Sequence, residues 1–116
     1  MDSVVARKRL EEIRDELDRS ISVLEASGPR RDQAPEYPQD PADAGANLTE
    51  TQRSAAMLTV ARQQRSEVLG ALRRIEEGSY GVCADCGAKV PEGRMEARPD
   101  AARCVSCQGK RDRLRR

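Results

Sequence analysis

Residues 83–107 read CADCGAKVPEGRMEARPDAARCVSC, two C-x2-C pairs separated by seventeen residues. Thiolates are the soft ligands that a tetrahedral Zn²⁺ prefers, and two such pairs supply four of them. The two-residue spacer lets backbone N–H groups point at the first sulfur of a pair while the second closes the turn. Gly87 follows the first pair directly, where a sharp turn favours a residue without a Cβ. The chain has no histidine, so the candidate ligands are Cys83, Cys86, Cys104 and Cys107. Two disulfides would need an oxidising compartment, and a redox C-x2-C pair would need a βαβ context that the pattern lacks. Four protein ligands close the coordination shell, so this metal is structural and not catalytic.

The segment around these cysteines, residues 78–116, offers only Val82, Val90, Met95, Val105 and Leu114 as sizeable aliphatics. Burial alone cannot hold so small a module together. Zinc binding, worth about 10–16 kcal/mol in finger peptides, can supply the folding energy. After Cys107 the chain runs QGKRDRLRR and is predicted to form a short C-terminal helix. Its cations favour the C-terminal end of such a helix. The rival reading is phosphate contact by Arg113, Arg115 and Arg116.

Upstream, Ser3 to Ala26 contains neither Pro nor Gly, and Leu10, Ile13, Leu17, Ile21 and Leu24 recur at spacings of three and four. That is one apolar stripe on an amphipathic helix. Arg14–Asp18 and Asp15–Arg19 are spaced to pair on its wet side. Ser27-Gly28-Pro29 ends it. A second stripe comprises Leu58, Ala61, Val68, Leu72 and Ile75, with Ala55 before it, Leu69 beside it, Arg65 interrupting it and Gly78 ending it. A narrow stripe cannot be buried by one helix, so the two are expected to pack as an antiparallel hairpin; self-association of the seams is the rival. The resulting architecture is mostly α: a coiled-coil hairpin over 1–77, with a tip loop at about 28–47, then a four-cysteine zinc finger with its C-terminal helix over 78–116.

The connection holds Asp40-Pro41, a good helix start with Asp as N-cap and Pro at the first helical position. Asp43 then falls at N3, where a carboxylate suits the helix dipole. Thr49 with Gln52 makes a second possible start, so helix 2 begins at Pro41 or near Leu48. Capping accounts for both aspartates and leaves them exposed at the hairpin's far end.

Composition excludes several classes. Charged residues make up 35% of the 116, aromatics are limited to Tyr37 and Tyr80, and net charge is +1, so a thick globular core is not expected. Charge is acidic in the first 47 residues and basic, nine cations against five acids, in residues 78–116. No stretch has signal-peptide character or the roughly 20 apolar residues of a membrane span, which points to a cytoplasmic chain with reduced cysteines. With no histidine and every cysteine committed to metal, an enzyme is not expected.

A helical hairpin with a D-P-x-D turn, followed by EEGSYGVCADCG, EARPDAARCVSC and a short helix, resembles the DksA/TraR family of zinc-finger transcription regulators. Asp40 and Asp43 lie 43 and 40 residues before Cys83, the spacing of the family's tip aspartates. The resemblance implies a protein that binds RNA polymerase rather than a DNA sequence; a monomer is expected. Its coiled coil would enter the secondary channel with Asp40, Asp43 and Gly45 at the tip, shifting the stability of promoter complexes. The rival functions are a zinc-ribbon module whose basic tail binds nucleic acid directly and an adaptor using the hairpin seam for a partner other than polymerase. Gly45 stands where the family usually has Ala, which loosens the tip. The family's contacts to the alarmone ppGpp fall on Val60, Gln63, Glu67, Gln108 and Arg98, and only Arg98 is basic. Binding of ppGpp at that junction is therefore not expected. Helix 1 is expected to start almost at Met1, without the N-terminal extension of longer members.

Overall fold

The structure, a computed structural model, describes residues 2–26 and 41–115, the side chains of 41–48 excepted. Asp40, Tyr37 and Arg116 lie outside the described residues. Four helices follow in order: α1 (Ser3–Ala26), α2 (Pro41–Glu77), α3 (Glu92–Ala97) and α4 (Val105–Leu114). Among the described residues the only β pairing outside named strands is one antiparallel bridge, Val82 to Lys89.

α1 and α2 form the hairpin that their stripes require. Leu10 and Ala71 are fully buried and Val68 nearly so, and Ile13, Leu17, Leu72, Ile75 and Tyr80 pack around them. Cross-helix ion pairs follow the same antiparallel register. Asp18 meets Arg65, and farther out Glu25 meets Arg62 at 2.8 Å. Arg65, which breaks the apolar stripe, is thus satisfied by a carboxylate of the opposite helix. The wet-side pairs expected within α1 give way to these contacts: Asp18 turns to Arg65, and Arg14 reaches its neighbour Asp15 at 3.3 Å.

Ala55, just before the second stripe, is exposed. Two details depart from the sequence reading. Ala6 and Ala71 are fully buried although neither stood out as a stripe residue, because small side chains let the two backbones approach without adding to an aliphatic pattern. α2 begins at Pro41, the earlier of the two starts the sequence offers, so residues 41–47 of the expected tip loop are helical.

α2 stops at a hydrogen-bonded cap. Gly78 takes a left-handed backbone, φ 78°, which costs glycine nothing. Its N–H donates to Ile75 O at 3.3 Å, and Ser79 N–H donates to Arg74 O at 2.9 Å. These are the two reciprocal bonds of a Schellman ending. The chain leaves it into the finger, whose own small core is Cys83, Val90, Met95 and Ala101. Tyr80 packs against both cores.

Candidate metal centre and its mount on the hairpin

The first knuckle is a short β-turn element. Cys83 N–H donates to Ala88 O and Val90 N–H to Gly81 O, each at 2.8 Å, so residues 81–90 fold back on themselves. At its apex Gly87 has φ 74° and donates to Cys83 O at 3.0 Å. The second knuckle opens α4, with Cys104 in the extended N-cap position and Cys107 within the first turn. Ala84 N–H donates to Ala102 O at 2.8 Å and ties the knuckles together.

All four sulfurs lie within 4.8 Å of one another. The Cys86 and Cys104 sulfurs are 4.0 Å apart. A tetrahedron with Zn–S bonds of about 2.3 Å has S···S edges of about 3.8 Å, so the donor set fits zinc in type, number and spacing. Cys83 is buried and Cys86 exposed, with the other two between. Backbone hydrogen bonds, first from Cys86 and next from Cys104, bring the Cys83 thiol down to about 6. Cys107 is pushed up to about 12, chiefly because its side chain hydrogen-bonds to Cys104 and Cys83.

Between the paired cysteines, Asp85 accepts from Arg103 Nε at 2.9 Å and faces Arg111 Nε at 3.5 Å. Arg94 Nε donates to Arg103 O at 3.0 Å, fixing that segment to α3. The sequence reading passed over Asp85. Its signal was the acid inside C-A-D-C with arginines placed before and after the second pair.

The finger is bolted to the base of the hairpin by long-range bonds. Tyr80 Oη donates to Pro99 O at 2.8 Å. Arg9 of α1 donates to Glu96 O at 2.8 Å, and Arg74 of α2 to Asp100 O at 3.4 Å. Burial pushes the Tyr80 hydroxyl up, against the pull of Arg74. Burial also lowers Arg74.

Of the positions implied for alarmone contact, Glu67, Arg98 and Gln108 line one groove of about 510 Å³ between α2, the finger and α4. Gln63 donates to Glu67 at 3.5 Å. Val60 lies apart, beside Leu24 and Met57 in a separate apolar groove. Of the expected tip residues, Asp43 and Gly45 are the third and fifth residues of α2, while Asp40 lies outside the described residues. Arg113 and Arg115 are exposed at the end of α4.

Residues 78–113 match the family described as prokaryotic dksA/traR C4-type zinc finger. The chain is 40% identical over 70 residues to the RNA polymerase-binding transcription factor DksA of Caulobacter vibrioides, an alignment covering 59% of this chain and 49% of that one. To DksA of Escherichia coli K12 it is 29% identical over 97 residues, 84% of this chain and 60% of that one. The chain therefore spans about half to three fifths of the length of these relatives. The solved structure of transcription factor DksA2 from Pseudomonas aeruginosa superposes with a TM-score of 0.76 at 25% identity, covering 97% of this chain and 84% of that one. The resemblance to the DksA/TraR family is thus carried by the sequence of the finger and by the fold of hairpin and finger together.

Proposed function

We propose that this chain, a relative of the DksA/TraR zinc-finger proteins, is a cytoplasmic transcription regulator and not an enzyme. It binds RNA polymerase as a single chain and places its coiled-coil tip in the secondary channel. The supporting observation is that likeness to RNA polymerase-binding DksA proteins extends along both hairpin and finger, the two parts such a docking uses. Zinc, held by Cys83, Cys86, Cys104 and Cys107, supplies four bonds that close the finger.

The chain's own residues do the rest. The base contacts through Arg9, Arg74 and Tyr80 hold the finger against the rod. At the far end Asp40 and Asp43 bring negative charge to the catalytic region of the polymerase, where poor screening magnifies it. A factor can shift a polymerase equilibrium only by its differential affinity for the two states, and these carboxylates supply that difference. Gly45, lacking a Cβ, leaves the tip backbone freer than Ala would.

The finer part of the reading concerns ppGpp. Arg98, the one basic residue among the implied contacts, faces the carboxylate of Glu67 at 3.7 Å. A phosphate would have to displace that carboxylate, so regulation proceeds without the alarmone at this junction.

The test is a pull-down with core RNA polymerase followed by crosslinking from a photoreactive residue at position 43. Crosslinks to the subunit around the catalytic centre support the reading. Absence of any association with polymerase overturns it. The direct nucleic-acid reading would then be tested by free-DNA binding that weakens when Arg113, Arg115 and Arg116 are neutralised.

A further inference from the structure

We propose that Asp85 is the residue that aims α4, fixing the direction in which the C-terminal helix leaves the metal centre. α4 has ten residues and none is buried. A helix so short is marginal by itself in water, so its order and direction come from tethers. Among the described residues, Cys104 and Cys107 pack against the finger core. Both stand at the very start of the helix, as N-cap and in the first turn. Two anchors at one end hold that end and leave the axis free to swing.

The third tether lies one turn farther on. Residues 104, 107 and 111 are spaced three and four apart and share one helix face. Arg111 on that face meets Asp85, which is seated between the two cysteines of the opposite knuckle. The same Asp85 oxygen accepts from Arg103, the residue just before Cys104. One carboxylate therefore grips the chain on both sides of the second knuckle, and Arg103 is held in turn by α3 through Arg94. Asp85 is a positioning residue: it touches no ligand, and it sets where the exposed cations Arg113 and Arg115 are presented.

The inference uses the zinc reading only for the tether at Cys104 and Cys107. The experiment measures backbone ¹⁵N relaxation on the zinc-loaded full chain, with zinc content by mass spectrometry. The variants are Asp85→Asn, Asp85→Glu and Arg111→Gln. In Asp85→Asn and Arg111→Gln, residues 109–115 should gain fast motion, and their amide exchange should rise roughly fivefold, in line with half-exposed ion pairs. Amides of residues 80–101 and one zinc per chain should be unchanged, and Asp85→Glu should recover part of the order. A fold role alone would loosen residues 80–101 together with α4. That result, or an α4 unmoved in Arg111→Gln, overturns the inference. Zinc absent from the unmodified chain would instead count against the metal reading.

Discussion

The carboxylate of Glu67 lies 3.7 Å from the guanidinium of Arg98, which also reaches Asp100 at 3.5 Å. α2 and the loop after α3 are thereby joined across the groove that carries Gln108. Each pair is partly exposed and contributes at most about 1 kcal/mol to stability. Their larger effect is on charge, because the groove's Arg98 is already matched by acids.

The first prediction concerns that match. Transcription reactions with the purified chain should give the same output with and without ppGpp. Replacing Glu67 with Gln frees Arg98 from one carboxylate but supplies no second cation at Gln63 or Gln108, so it should confer little response. Potentiation by ppGpp in the unmodified chain that disappears in Arg98→Ala would contradict this.

The proposed reading separates tip chemistry from docking. The double substitution Asp40→Asn with Asp43→Asn keeps side-chain shape and capping oxygens but removes both charges. It should abolish the effect on initiation while leaving the affinity for polymerase within about threefold, because Kd changes tenfold only per 1.4 kcal/mol. Initiation assays and competition binding read the two quantities independently.

Tyr80 gives a pH test of the junction. Its hydroxyl is favoured as the neutral donor in the fold, so its ionisation lies above the ordinary 10. The stability it adds is fully present below pH 10 and is lost as pH rises through the shifted value. In a Tyr37→Phe background, the phenolate absorbance should titrate later than in the denatured chain. Tyr80→Phe removes the bond to Pro99 and should cost about 0.5–1.5 kcal/mol in a denaturant melt at neutral pH.

Metal binding should expel protons. Near neutrality Cys83, at about 6, is already a thiolate. Cys107, at about 12, still carries its proton and must lose it to a metal. Zinc affinity should therefore fall with falling pH, and fall more steeply below about 6, where the Cys83 proton must also be displaced. In the metal-free fold, the stabilising effect of Cys83 as a thiolate is complete above the ordinary thiol value and disappears as pH drops through about 6. Calorimetry in buffers of different ionisation enthalpy measures the release, and a pH-independent affinity would refute the assignment.

Large aliphatics at helical spacing made the hairpin readable, and the spacing of Cys83, Cys86, Cys104 and Cys107 made the metal centre readable. Both are repeated local patterns. Ala6 and Ala71 were hidden because burial of a small side chain depends on which helix lies opposite. Arg65 read as an interruption for the same reason: its partner, Asp18, is 47 residues away. The N-terminal boundary of α2 had two chemically adequate starts, at Asp40-Pro41 and at Thr49, and capping preference alone could not rank them. Asp85 was missed because its two partners are brought to it only when the knuckles face each other.

The Schellman turn at Gly78 and the bonds around it sit at the fulcrum of a long arm. α2 has 37 residues, or about 55 Å of rise. Geometry makes a tilt of about 5° at that fulcrum displace the far end by about 5 Å over a helix of this rise. On the proposed reading, substitutions at Arg9, Arg74 or Tyr80 would therefore mimic loss of the tip charge, and its delivery would depend as much on the hinge as on the charge itself.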